Sequence, residues 1–460
     1  TFYSLSIFTV DKKQILYNLK LKSMKTFRIM IVLSLFVISL MYCTKKDQIV
    51  APVTVNNSEL TANKTATAPT IDGTIDAVWN TANQISFSPT VPDPGNGLFA
   101  SYVGEQFPTK LKALYDDQYV YFLAEYTDAD QSQKLAPWYY NPTTKLWAKE
   151  GTSKLVDANG NVTRNGFGED KIAFLWNIDN STPKFNTQTC YASCHVFTPY
   201  MDYSTTTPTY KSNSASGNHY TNGSTEKIDM WWMQPSKGLK YGKMDDNYQD
   251  WAGGPAITNL TGGNANGRHV DDIYPDGTAS TTWPFRPNYT TADATQGSFA
   301  NTQSIKITGT TTSVSVPLWV IPSSTSDYIT IADTASGTAK KITAVDSLGV
   351  LTYAGGTIDP KAGTGYQRVG SGIGANCIPS VIIQPLKIGR SDIDCVTSYT
   401  GSGYVVEIRR KLKSDNTALK QDVDFSTLED QPFGFAVWNR SNYQHAIQPN
   451  LKLIFNKTAK

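Results

Sequence analysis

The sequence predicts an all-β protein, an antiparallel β-sandwich with long loop insertions. Short apolar and aromatic runs of strand length recur between Gly, Pro, Asn and Asp residues. No long stretch sustains a helical period. Charged residues make up 17% of the chain, while Thr, Ser, Asn and Gly are plentiful, which suits a β-rich exported protein with a polar surface.

Met24 reads as an initiator, so residues 1–23 read as upstream sequence rather than as part of a domain. Met24-Lys25-Thr26-Phe27-Arg28 is a short basic segment, followed by 13 apolar-rich residues from Ile29 to Met41. That run is too short to span a bilayer comfortably and fits a secretory signal over 24–42. Leu40-Met41-Tyr42-Cys43 resembles the lipobox of bacterial lipoproteins, in which the Cys takes lipid. Tyr42 stands where a small residue is usual, so ordinary signal cleavage and an uncleaved anchor stay open. Residues 43–67 are polar and read as a flexible tether.

The folded domain is expected over 68–456. Ala113-Leu114-Tyr115 and Tyr119 to Ala124 flank Asp116-Asp117, a hairpin signal. Further strands are expected at Lys171 to Trp176, Tyr404 to Arg409, Phe433 to Trp438 and Leu451 to Phe455. Two long insertions are expected, at about 196–284 and about 298–374; either has room for a small subdomain.

Cys190-Tyr191-Ala192-Ser193-Cys194-His195 carries the chemistry. Two thiols followed by His is how c-type haem is held: each thiol adds across a vinyl group and the His ligates iron. The usual spacing is C-x-x-C-H, and one extra residue separates the thiols here. A local disulfide and a Cys/Cys/His metal site are the competing readings; zinc would need a fourth ligand. Of the five Cys, Cys43 would then take lipid and Cys190 and Cys194 haem, leaving Cys377 and Cys395 as a candidate disulfide or as two buried thiols.

Ala68-Pro69-Thr70-Ile71-Asp72-Gly73 through Trp79 resembles the opening of a sandwich superfamily that includes DOMON cytochrome domains and family 9 carbohydrate-binding modules. Glu169-Asp170-Lys171, Lys227 to Trp232, Tyr404 to Arg410, and Phe435 to Asn439 with Gln444-His445-Ala446 follow in order. Together they resemble the haem-binding domain of ethylbenzene dehydrogenase gamma-type subunits. The resemblance implies a haem-carrying electron-transfer subunit that serves a molybdoenzyme of the dimethyl-sulfoxide-reductase type. Its members hold haem b without covalent bonds, whereas the Cys pair here predicts one haem c. The His of the family's Asp-x-Trp-His segment is Trp232 here.

His195 is the expected proximal iron ligand. The distal ligand is sought among His219, His269, His445, Met201, Met230, Met233 and Met244. His445 is favoured because the resembling subunit supplies an axial Lys at that place; His219 is the alternative. Trp231 and Trp232, and less so Trp138, Tyr139, Tyr140 and Trp147, are candidates to pack on the porphyrin, or else core. Asp245-Asp246, Asp250 and Asp271-Asp272 offer oxygen ligands for Ca²⁺, but none has EF-hand spacing and turns are the plainer reading.

Six Lys/Arg and one Asp lie in residues 1–42, so the 35 basic and 38 acidic residues beyond give a net charge of −3. That excludes a nucleic-acid binder. No glycosidase carboxylate pair, nucleophile elbow, P-loop or dinucleotide fingerprint is present. The expected function is an exported, lipid-anchored electron carrier with redox protein partners, itself not an enzyme. The alternatives are a carbohydrate-binding surface lipoprotein with a row of exposed aromatics and no haem, and an enzyme with an open haem site.

Overall fold

The computed structural model describes residues 57–458, apart from 96, 98, 195–199, 203–208, 212–218, 222, 251–266, 272–297, 370–371, 377 and 415–419. Cys43, His195, Asp272 and Cys377 therefore lie outside the described residues, as does the side chain of Met201.

Twelve strands form the main sheet. They are β1 (Glu59–Lys64), β2 (Gln84–Phe87), β3 (Thr109–Tyr115), β4 (Tyr119–Thr127), β5 (Lys171–Asn177) and β6 (Ile228–Met233). Then come β7 (Lys243–Gln249), β8 (Arg268–Val270), β9 (Ile393–Tyr399), β10 (Gly403–Lys411), β11 (Gln431–Trp438) and β12 (Ala446–Asn456). Ten of these pair in a closed ring: β1, β12, β11, β5, β6, β7, β9, β10, β4, β3 and back to β1. β2 adds to β3 and β8 to β7. All pairings are antiparallel except those of β1, which runs parallel to both β12 and β3. The all-β expectation holds, with the sandwich closing on itself through β1.

Two boundaries differ from expectation. β1 falls inside the segment read as a tether: Leu60 and Ala62 are 0% exposed, but two apolar residues in six are too short an alternation to stand out in a polar segment. The expected insertion at 196–284 supplies β6, β7 and β8. β7 reads Lys-Met-Asp-Asp-Asn-Tyr-Gln, a polar strand whose burial depends on partners elsewhere, such as Arg390, which grips Asp245 at 2.7 and 2.8 Å. The insertion at 298–374 does build its own apolar cluster, with Val316, Val320, Ile342 and Leu351. It draws in Trp138, Tyr140 and Trp147, whose polar atoms donate to the carbonyls of Asn301, Leu348 and Gly349.

Side chains alternate across each strand, so every second residue faces the inside of the ring. Phe122, Phe174, Trp176, Trp231, Phe433 and Phe435 meet there. Trp176 stands 4.9 Å from Phe433 and 5.0 Å from Trp231. Full burial of each such ring contributes about 1.5–3 kcal/mol. Cys395 is a buried thiol in this core, unpaired among the described residues, and its candidate partner Cys377 lies outside them.

Two quoted motifs meet in space. Glu407 of β10 accepts from the backbone N–H of Gly73 (2.9 Å) and Asp72 (3.2 Å) and from Trp79 Nε1 (3.1 Å). Gly73 has φ +84°, where a side chain is strained.

Asp128 and Asp170 lie buried beside Tyr404. Burial first, then the charge of Asp170, pushes Asp128 up to about 8. Burial also raises Asp170, restrained by hydrogen bonds from Tyr404 (2.7 Å), Ser132 (2.5 Å) and Arg440 (3.0 Å). A carboxyl whose folded pKa is raised contributes stability below its unfolded pKa, near 4, and loses it as pH climbs through the folded value. Stability is therefore expected to fall between pH 4 and 8. Asp128→Asn should remove on the order of 2–4 kcal/mol of that fall, read as a flatter dependence of Tm on pH.

Candidate functional site

The outer faces of β5, β6, β11 and β12 build an apolar floor. Trp232, Ala173, Ala436 and Ile447 lie in one register row across the four strands. Met230, Leu175 and Gly434 form the next row. Small residues in the middle strands leave a hollow, and Trp232 and Trp438, 5.8 Å apart, wall one side.

The segment after the short helix Phe185–Gln188 lies over this floor. Phe185 and Ala192 pack on Ile228 and Leu175 and anchor it. The Cys194 N–H donates to the Cys190 carbonyl at 3.1 Å, a turn that returns the second cysteine to the first. A Cβ on Gly434 would meet Cys190 Sγ at 2.6 Å, so only Gly lets the thiol approach so closely. His219 forms an antiparallel bridge with Cys194. His445 enters from the loop between β11 and β12.

Cys190, Cys194, His219, Met230, Trp232 and His445 all line one cleft with an internal volume of about 60 Å³. His445 stacks on Trp438 at 4.5 Å and 22°, with Phe99 edge-on at 5.7 Å. Its Nδ1 lies 2.6 Å from the Tyr443 carbonyl. A proton on Nδ1 satisfies that contact, and the lone pair is then on Nε2, the arrangement of a metal-ligating imidazole. Burial holds its pKa down to about 4, against the Tyr443 hydrogen bond, with Lys171 lowering it further. The ring is neutral at neutral pH.

Both thiols are buried. Burial, with Cys194 adding, pushes the Cys190 thiol up to about 12. A zinc site would take them as thiolates together with further ligand atoms close by. Among the described residues, only Asp229, Asp246 and Asp422 bring three such ligand atoms within 4.8 Å of one another. The two Cys and two His thus surround a cleft without converging on a point. This donor set suits a broad planar macrocycle better than a single zinc ion.

Other expected site residues lie elsewhere. Trp231 points into the core, because neighbours on a strand face opposite ways. Met233 and Met244 are core. His269 pairs with Asp250 at 2.9 Å, its ring tilted against that of Tyr248 at 5.0 Å. Trp138, Tyr140 and Trp147 belong to the second cluster, and Tyr139 lies under Arg368 at 3.8 Å. The sequence reading missed Trp438 and the buried Lys171, whose Nζ lies over Trp232 (5.5 Å) and Trp438 (5.6 Å). Splitting Phe433 to Trp438 into its two faces isolates Gly434, Ala436 and Trp438 and would have found the hollow.

The profile described as ethylbenzene dehydrogenase matches residues 76–449. No curated protein matches the chain. Among solved structures it is similar to a family 9 carbohydrate-binding module from Caldicellulosiruptor kristjanssonii in complex with glucose. That match has 9% identity and TM-score 0.26 and covers 86% of this chain and 95% of that one. The complex with cellotriose gives 10% identity and TM-score 0.25, covering 86% and 93%. The family match spans most of the closed sheet and the whole of the cleft, and the chain belongs to the ethylbenzene dehydrogenase family.

Proposed function

We propose that the chain is an exported, lipid-anchored monohaem c-type cytochrome that exchanges electrons with a redox partner, as the haem-carrying member of a molybdoenzyme complex. The observation that carries this reading is the shared cleft of Cys190, Cys194, His219 and His445.

Cys190 and Cys194 would hold the group through thioethers, and His195, next in the chain, would ligate iron. His445 is the second ligand, with His219 as the alternative. A haem held here supplies one-electron transfer. The protein sets its surroundings: Trp232 and Trp438 exclude water, and the Tyr443 carbonyl orients the His445 ring. Lys171 and Arg268, the latter 4.6 Å over Trp232, bring positive charge suited to haem carboxylates. Cys43 would carry the lipid, tethering the domain to a membrane beside its partner. The carbohydrate reading calls for a row of exposed aromatics; among the described large hydrophobics that are exposed, Tyr443 is the one aromatic.

Two imidazole ligands lack the thioether sulfur that raises potential. A redox titration is expected to give a midpoint below zero. A clearly positive midpoint, or a thioether-to-iron absorption band, would put Met230 or another Met in place of His445.

A further inference from the structure

A second site lies inside the ring, away from the cleft. Asp229, Asp246 and Asp422 are each at most 1% exposed, and their carboxylate oxygens lie within 4.8 Å of one another. Oxygens ligating one calcium ion at 2.3–2.6 Å can be no more than about 5 Å apart, so the spacing fits. β6 and β7 present Asp229 and Asp246 inward, and the chain after β10 brings Asp422.

Asp246 has no hydrogen bond at either carboxylate oxygen; Arg410 Nε stands off at 3.8 Å. Asp271, a fourth acid outside the triad, is 0% exposed and likewise has neither oxygen hydrogen-bonded. Asp422 and Asp229 are the leading charges acting on it, and it acts in turn on Asp246, so it faces the same group. Gln421, 1% exposed, leaves both side-chain amide atoms unbonded beside Asp422 in the chain. Among the described residues, the cation within 4 Å of the three carboxylates is Arg410, 2.5 Å from Asp422 and 3.6 Å from Asp229. Buried anions without partners are costly unless a cation joins them. The donors are all oxygen, the choice of a hard ion rather than zinc or copper.

We propose that Asp229, Asp246 and Asp422, with Asp271 beside them, hold one structural divalent cation of the calcium type, which ties β6, β7 and the 420–424 segment together. The proposal is independent of the haem reading and is readable on the chain with or without haem.

The test is elemental analysis of the full chain after exposure to CaCl₂ and gel filtration, with thermal unfolding in EDTA and in CaCl₂. The expected result is close to one calcium per chain, a Tm several degrees lower in EDTA, and recovery with CaCl₂. Asp246→Asn should lose the calcium response. Should that variant fail to fold, the wild-type titration decides alone. A wild-type chain with no stoichiometric metal and the same Tm in EDTA and CaCl₂ overturns the proposal and leaves the carboxyls protonated instead.

Discussion

His445→Ala is expected to leave haem on the chain while converting its spectrum from six-coordinate low-spin to high-spin. The thioethers to Cys190 and Cys194 do not depend on the distal side, so attachment survives. The imidazole is fixed at two points, by Tyr443 at 2.6 Å and by the Trp438 stack at 4.5 Å. Alanine removes both and takes the imidazole away from that position. Loss of the stack costs about 0.5–1.5 kcal/mol, too little to unfold the domain. His219→Ala is the comparison. It should keep the low-spin spectrum; a reversal of the two outcomes would move the ligand to His219.

Arg410→Ala is expected to cost about 3–5 kcal/mol in urea unfolding, the toll of breaking a buried ion pair from one side. Arg410 is 0% exposed, donates to the Val423 carbonyl at 3.0 Å and reaches three carboxylates. Its guanidinium also lies 5.1 Å over Trp231. A domain's net stability is about 5–15 kcal/mol, so the loss is a large share. The neighbouring Arg409 gives the contrast. Its side chain is 40% exposed and pairs with Asp394 at 2.5 Å. Arg409→Ala should cost under about 1 kcal/mol, since exposed pairs contribute little. Equal losses at the two positions would mean that the buried carboxylates do not need Arg410.

The strands that read as short apolar and aromatic runs were legible, because both of their faces are buried. The hairpin at Asp116 was legible for a local reason: its Oδ1 accepts the N–H of Gln118 and Tyr119, both at 2.7 Å. β7 was not legible. Its Asp245 is balanced by Arg390, 145 positions away, and no local pattern reveals that. β1 was hidden for a related reason, since its register comes from β12 at the other end of the chain.

For the site, the cysteine motif named the cleft, and the family resemblance pointed to His445. The structure brings these into the same hollow, although neither contains the other in sequence. Trp231 and Trp232 were read together, yet the strand sends one into the core and the other to the cleft. The acidic pieces offer oxygen ligands in sequence, but each is unremarkable alone and reads most plainly as a turn. Only folding places Asp229, Asp246, Asp271 and Asp422 together, with Arg410 among them.

The measurement that tests the central claim most directly is the absorption spectrum of the wild-type chain, made with a cytochrome c maturation system, followed by haem staining on a denaturing gel. The account predicts haem that migrates with the chain through denaturation and a reduced spectrum that is six-coordinate and low-spin. A colourless chain, or haem released on denaturation, would contradict it and leave Cys190 and Cys194 as a disulfide or metal-binding pair.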